Sequence, residues 1–268
     1  MRQQENATAI ALGARGLINR QEAARQFQLV RHPPSAELAH WVAHYWQVSW
    51  DLRGQPDYIQ QNLPHPSVHL TLHSDGFCGI SGVMSKSFRY RLSGCGCVLG
   101  VKFHPAAFSA FYAESAHTLT DKRITLGELW GEDEVQLRKS IAGATPAENC
   151  IPELGALLSR RAGSLADAAK QVRECVQFIA SEPELCSLQA LAAREGVSVR
   201  SLQRLFRQYL GVSPKWVIDR YRMIEAVEAI NAGGKVELTD LAYRLGYADQ
   251  AHFSKAFTAL VGVPPSRV

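Results

Sequence analysis

The sequence lacks any long apolar run. Its 268 residues contain no window of the length, about 18 uncharged apolar residues, that a membrane-spanning helix needs. The apolar stretch at residues 7–12 is too short for the central part of a secretion signal. The six cysteines have no recurring spacing, which argues against a disulfide framework. We therefore expect a cytoplasmic protein with reduced thiols and no membrane partner.

A strong excess of charge is also missing. The net charge is +4, which permits nucleic acid as a partner without requiring it. Hydrophobic residues make up 46% of the chain and charged residues 20%, an ordinary globular composition. The length is typical of one large or two ordinary domains.

The character of the sequence changes near residue 150. Before it, apolar and polar residues alternate at 67–73, which predicts a half-buried strand, and residues 96–103 predict another. A short helix is expected at 106–113, and a helical arm from Gln21 to Leu29. The N-terminal half is therefore predicted to be a mixed sheet or a small β-barrel with helices.

From residue 165 onward the apolar spacing is helical throughout. Helices are predicted over 167–181, 188–195, 199–210, 214–231, 238–245 and 250–261, with a stub at 265–268. The predicted fold class is α+β. We expect an N-terminal domain over 1–145, a connector over 146–166 that begins near a Thr-Pro, and an all-α domain over 167–268.

Two stretches of the helical half, 187–214 and 237–265, repeat each other. The paired positions are Leu188 and Leu238, Leu191 and Leu241, Ala192 and Ala242, Gly196 and Gly246, Phe206 and Phe257, Gly211 and Gly262, and Pro214 and Pro265. Each copy reads as a short helix, a turn with a glycine and a second helix, the pattern of a helix-turn-helix unit. Ser198 and Asp249 precede the second helices, where an N-cap belongs.

The second helix of the first unit has two faces. One face is an apolar stripe of Leu202, Leu205, Phe206 and Tyr209. The other face carries Arg200, Gln203, Arg204 and Arg207. Arg reads guanine and Gln reads adenine in the major groove, and residues 187–222 hold seven basic against two acidic residues. The pattern favours DNA binding over a helix face that is merely solvated.

The second unit repeats the apolar stripe but is less basic on its outer face. The outward and flanking positions are Gln250, Ala251, His252, Ser254, Lys255 and Thr258. We expect the first unit to recognise more bases and the second to position more phosphates. A helix over 214–231 would hold the units apart, and a separation near one DNA turn, about 34 Å, would let one chain reach two successive major-groove faces.

The motifs LAAREGVSVRSLQRLFRQYLGVSP and DLAYRLGYADQAHFSKAFTALVGVPP resemble the DNA-binding module of the AraC/XylS family of bacterial transcription regulators. The resemblance covers residues 167–268. It implies two helix-turn-helix units joined by a long helix that bind double-stranded promoter DNA and, in many members, RNA polymerase. By position it implies base-facing roles for Arg200, Gln203, Arg204, Gln250, His252, Ser254 and Lys255. Ser198 and Arg207 complete the predicted DNA-binding set.

The chain departs from the family at its end. It stops at PPSRV, short of the Tyr-Arg or Phe-Arg that commonly closes the module, so the last helix is expected to be a stub.

The N-terminal half resembles an uncharacterised domain of one branch of these regulators, through HYWQVSWDL, LPHPSVHLTL and GVKFHPAAF. This resemblance implies effector sensing, dimerisation or both. If the polar face of the strand at 67–73 lines a barrel interior, His69, Thr71 and His73 would face a small-molecule effector. The tryptophans 41, 46, 50 and 130 form either a pocket wall, with Trp46 as an effector contact, or core. We predict a homodimeric, sequence-specific regulator controlled by an unknown small molecule or by dimerisation.

Metal sites and catalysis have weaker support. His65, His69 and His73 lie four residues apart, which on a strand separates neighbours by about 13 Å, too far to share a metal. Cys95 and Cys97 with His104 lack the second cysteine pair of a closed zinc site.

Signature motifs of enzymes are missing as well. There is no Walker loop, no G-x-S-x-G and no H-E-x-x-H, and no cysteine precedes a histidine as in the Pro-Cys-His-Arg of alkyl-repair proteins. We predict no enzyme activity, no cofactor and no metal. The alternatives are a ligand- or metal-dependent barrel enzyme with an appended DNA-binding module, and a protein-interaction adaptor.

Overall fold

The computed structural model describes residues 15–131, 137, 150–182, 187–232 and 236–267. The N-terminal part holds a six-stranded antiparallel sheet, in the order β1-β2-β7-β4-β5-β8, and a two-stranded sheet of β3 and β6. The strands are β1 Gln28–His32, β2 Val42–Asp51, β3 Tyr58–Asn62, β4 His69–His73, β5 Cys78–Ser81, β6 Phe88–Leu92, β7 Cys95–Phe103 and β8 Arg123–Thr125. The predicted strands at 67–73 and 96–103 are β4 and β7.

One face of the large sheet is apolar and packs on the N-terminal core. Tyr45, Val101, Leu70 and Ile80 are register partners across β2, β7, β4 and β5, and all four are buried. Helix α2, Leu126–Trp130, and the short turns between β7 and β8 cover this face. Because side chains alternate along a strand, the opposite face carries His44, Lys102 and His69 instead.

The predicted helical arm is wrong at its C-terminal end. Helix α1 runs only over Arg20–Gln26, Phe27 is extended, and β1 begins at Gln28. Leu29 pairs with Val48 of β2 and lies in an apolar cluster with Phe27. Pairing with a long neighbouring strand therefore outweighs the local helical pattern. The short helix predicted at 106–113 is a single 3₁₀ turn, Ala107–Ala110.

Helix α3, Ile151–Arg161, lies within the segment predicted as a connector. Its Leu154, Leu157 and Leu158 are buried in the N-terminal core beside Phe111 and Trp130. This helix is thus part of the N-terminal packing. Residues 145–149 lie outside the described residues.

The C-terminal part is helical, as predicted. Its helices are α4 Asp167–Ser181, α5 Leu188–Arg194, α6 Val199–Tyr209, α7 Pro214–Asn231, α8 Leu238–Arg244 and α9 Gln250–Val261, followed by a 3₁₀ turn over Pro265–Arg267. The first unit, α5 and α6, packs on α4 and the start of α7. The second unit, α8 and α9, packs on the rest of α7. The predicted glycine end of the long helix at 233–234 lies outside the described residues, and so does Val268.

The two parts of the chain touch along α7 and beside both units. The Trp216 indole N–H donates to the Ser85 carbonyl at 2.9 Å, and the Thr120 hydroxyl donates to the Gly211 carbonyl at 2.7 Å. Arg20 pairs with Glu228 of α7, and Arg15 pairs with Glu225 at 2.8 Å. Among the described helices, none has the length and apolar character needed to cross a membrane.

Candidate nucleic-acid interface

Both second helices begin at the predicted caps. The Ser198 hydroxyl accepts from the Ser201 backbone N–H at 3.1 Å, and the Asp249 carboxylate accepts from the His252 N–H at 2.7 Å. Each cap satisfies a helix N–H that would otherwise be unpaired. The preceding turns pass through Gly196 and Gly246 with φ of 64° and 77°, a conformation that favours glycine.

The inner face of α6 fixes the helix on the rest of the first unit. Leu202 and Phe206 are fully buried, and Leu205 and Tyr209 are partly buried beside them. In α9 the equivalent Phe253 and Phe257 are also fully buried. Burial of each such side chain contributes on the order of 2 kcal/mol, so the orientation of both helices is set by their apolar stripes.

The outer face of α6 is cationic. Arg200, Gln203, Arg204 and Arg207 are all exposed, and together with Ser198 and Ser201 they line one shallow concave surface. Within the described part of the chain, these four long side chains form no hydrogen bond or ion pair. Three guanidinium groups without carboxylate partners leave their donors available for phosphates and base edges.

The outer face of α9 is less basic, and some of its groups are engaged. The Gln250 side-chain oxygen accepts from the Thr239 hydroxyl at 2.9 Å, which ties α9 to α8. The His252 ring stands edge-on to Tyr247, with the ring centroids 5.4 Å apart. Lys255 is exposed and Ser254 is half-buried. Of the predicted residues of the second unit, Lys255 is the most available for a phosphate.

Helix α7 sets the distance between the two units. Its 18 residues give a length of about 27 Å, of the same order as one turn of DNA. Val217, Ile224 and Val227 are fully buried, so both units pack against the same rigid element.

Two features of the first unit and of α7 were not predicted from the sequence. Ser201 lines the α6 surface, and its hydroxyl accepts a hydrogen bond from the Ser198 hydroxyl at 3.0 Å. Its position three residues after the cap is the only sequence signal that would have indicated it. Arg220 of α7 is fully buried, lies 4.7 Å from the Trp216 ring centroid and donates to the Ser85 carbonyl at 2.8 Å. The sequence pattern grouped it with the cations of the first unit.

The predicted effector residues all lie on the polar face of the large sheet, in two groups. The Trp46 indole N–H donates to Nδ1 of His69 at 3.2 Å. His73 is bonded through Nδ1 to the Tyr90 hydroxyl at 2.9 Å and through Nε2 to the hydroxyl of the buried Thr71 at 3.2 Å. His65 bonds the Arg15 carbonyl instead. No three His, Cys, Asp or Glu side chains of the described residues are arranged to hold a metal ion.

Two families match separate parts of the chain. Residues 191–268 match a family described as a helix-turn-helix domain, and residues 30–125 match a domain of unknown function, DUF6597.

Among curated relatives, the transcriptional activator RhaS of Escherichia coli is 35% identical over 68 residues, which cover 25% of this chain and 24% of RhaS. RhaS of Escherichia fergusonii is 31% identical over 85 residues, which cover 32% of this chain and 30% of RhaS. The chain thus spans less than a third of these relatives.

Solved structures are similar as well. The C-terminal domain of AraT from Geobacillus stearothermophilus is 29% identical, with 38% of this chain and 85% of that chain covered and a TM-score of 0.35. ToxT of Vibrio cholerae is 12% identical, with 90% and 97% covered and a TM-score of 0.40.

The helix-turn-helix family match, over residues 191–268, covers both capped helices, α6 and α9. The chain therefore carries a helix-turn-helix domain at residues 191–268 and a DUF6597 domain at residues 30–125, and part of it is similar to the transcriptional activator RhaS.

Proposed function

We propose that the chain is a sequence-specific DNA-binding transcriptional regulator. The observation that carries the proposal is the outer face of α6, where three exposed arginines and a glutamine have no partners in the described structure. The match to a helix-turn-helix family and to proteins named transcriptional activators supports it. Neither family match suggests catalysis, so we further propose that the protein is not an enzyme.

In the proposed mechanism, α6 and α9 enter successive major-groove faces of double-stranded promoter DNA. Arg200, Gln203 and Arg204 contact base edges, while Arg207 and Lys255 neutralise phosphates. Ser198, Gln250, His252 and Ser254 contact DNA beside them. The regulator acts in the cytoplasm as a homodimer, so that two modules engage two half-sites, and it contacts RNA polymerase. The N-terminal domain senses a small-molecule effector.

The experiment that tests this function is selection of binding sequences. The full chain is incubated with a random pool of double-stranded DNA, and the enriched sequence is compared with a scrambled duplex across a salt series. We expect one enriched motif and an affinity for it that falls steeply with salt as counterions are released. An unchanged random pool after repeated rounds contradicts the proposal.

A double variant then tests whether the outer face of α6 is the surface that recognises the DNA sequence. Arg200→Ala with Arg204→Ala is expected to remove the preference for the enriched motif. Arg89→Ala with Lys122→Ala is the charge-matched control, because both residues are exposed on the N-terminal part. Equal effects of the two double variants would contradict the placement of the reading surface on α6.

A further inference from the structure

One end of the polar face of the large sheet brings together an amine and two imidazoles. His44 of β2 pairs in register with Lys102 of β7, and Lys102 pairs with His69 of β4. Register partners leave a sheet on the same face, and neighbouring strands lie about 4.8 Å apart. The three side chains therefore form a row on one face of the sheet.

The Lys102 ammonium has no anionic partner in the described part of the chain. It forms no hydrogen bond or ion pair there, although the side chain is half-buried. Burial, and to a lesser extent Arg31, lower the pKa of Lys102 to about 8, so the amine still carries its charge at neutral pH. The groups that act on the pKa of His44 are Lys102, Arg31 and His104, and those that act on the pKa of His69 are Lys102 and His44, so all of them are bases. A half-buried charge with no counter-charge is costly, and an anion offsets that cost.

The histidines contribute donors rather than further charge. Burial first, and Lys102 second, lower the pKa of His44 and of His69 to about 3, so both rings are neutral. The Trp46 indole donates to Nδ1 of His69, which places the ring proton on Nε2. Since a carboxylate only accepts hydrogen bonds, an ammonium with an imidazole N–H beside it matches its needs.

An apolar surface adjoins this polar end. A Cβ on Gly100 would lie 2.1 Å from the Trp46 indole, so the glycine lets the ring lie against the sheet. Trp46 continues into the apolar cluster of Val48, Trp50 and Leu29. At the polar end, the His65 ring lies 6.4 Å from the Tyr221 ring of α7. Lys102 and His69 also act electrostatically on His65, so the row lies near the helix that joins the two helix-turn-helix units.

We propose that Lys102, His69 and His44 bind the carboxylate of a small organic acid whose apolar body lies on Trp46. The effector of the proposed regulator would then be an organic acid, and this regulatory role of the site rests on the proposed function. Binding of the acid does not depend on the proposed function, because it involves no residue of the α6 or α9 outer faces.

The test is a titration of the full chain with benzoate in the absence of DNA. Binding is measured by calorimetry and by tryptophan fluorescence. Benzamide is the neutral isostere, and inorganic phosphate is the anion without an apolar body. We expect saturable binding of benzoate and weaker binding of both other probes. Lys102→Met should weaken benzoate binding by about tenfold or more, as expected for loss of a charge-assisted contact. Lys122→Met, at an exposed lysine of the same part, should leave it unchanged.

Thermal unfolding controls for folding of the variant. Lys102→Met removes an uncompensated charge, so its midpoint should equal or exceed that of the wild type. His69→Gln is the second variant and should also weaken benzoate binding, which keeps the test valid if Lys102→Met does not fold.

The proposal is overturned if the wild type shows no saturable benzoate binding up to about 10 mM. Equal binding of benzamide, tighter binding of phosphate, or unchanged affinity in the folded variants would also overturn it. The DNA selection experiment contains no benzoate, so a failure to bind benzoate leaves the DNA-binding proposal standing. Likewise, a failure to select DNA leaves the benzoate-binding proposal standing.

Discussion

At the residue scale, the exposed arginines of α6 differ from those cations of the chain that are buried or paired. Arg20 pairs with Glu228, and Arg220 is buried against Trp216, so both serve the packing of α7. Arg200 and Arg204 are exposed and unpaired among the described residues. Only the second kind has its donors free for DNA.

Arg204 is expected to read a base. Replacement by Ala should cost about 1–3 kcal/mol on the selected sequence and relax the preference at one base pair. Replacement by Lys should keep phosphate affinity but still lose that preference, because an ammonium cannot make the bidentate contact of a guanidinium. The measurement is the affinity of each variant for the selected duplex and for its single-base changes. Equal losses on selected and scrambled DNA would contradict base reading.

Sequence and structure differ in what they reveal about single residues. The Arg and Gln positions of α6 follow from helical spacing alone, because residues three and four apart share a helix face. The row of His44, Lys102 and His69 does not follow from the sequence, because His44 and Lys102 are far apart along the chain and only strand register makes them neighbours.

At the element scale, the helix boundaries of the C-terminal part rest on caps and turns. Ser187, Ser198 and Ser213 each accept a hydrogen bond from the N–H three residues on, and Asp249 does the same. Such local signals are legible in a sequence, which is why the predicted helices agree with the observed ones within a residue or so. Elements whose limits depend on strand pairing, such as α1 and β1, were predicted less well.

Ser198 offers a test that separates capping from DNA binding. Ser198→Ala should lower the free energy of unfolding by about 1 kcal/mol, because a helix N–H loses its acceptor. Ser198→Asp should restore stability, since Asp is an equally good cap, yet its charge should weaken DNA binding beside the cationic surface. Denaturant unfolding and DNA affinity are measured on both variants. Full stability of Ser198→Ala would show that the cap contributes nothing.

At the scale of the whole molecule, the N-terminal part contacts the ends of both α6 and α9. The Gly211 carbonyl, just after α6, accepts from Thr120, and the Val261 carbonyl at the end of α9 accepts from the Gln61 side chain. Arg15 and Arg20 pair with Glu225 and Glu228 in the C-terminal half of α7. The exposed pair of Arg15 contributes little on its own, so the contacts to buried polar groups matter more.

Substitutions at two glycines test this contact between the N-terminal and C-terminal parts. Gly211 and Gly196 both have positive φ, of 89° and 64°. An added Cβ would lie 2.6 Å from the Thr120 hydroxyl at Gly211, whereas at Gly196 it would meet nothing within 4 Å. Both Ala variants should lose about 1–2 kcal/mol through backbone strain, and Gly211→Ala should lose more through the collision.

The comparison is made by denaturant unfolding of the full chain. Gly196→Ala is the control for strain, so the difference between the two variants reports the packing of Thr120 on the first unit. Equal losses in the two variants would mean that this contact does not exist in solution.

The sequence by itself determined the helix-turn-helix half. Its apolar stripes, its caps at Ser198 and Asp249 and its repeated glycines act within a few residues of one another, so local physics sets helix positions and their outer faces. Tertiary structure decided the rest: the strand at Leu29, the packing of α3 into the N-terminal core, the burial of Arg220 and the row at Lys102. Each of these features depends on which distant segment of the chain packs against it. Contacts between segments far apart along the chain produce no periodic pattern in the sequence.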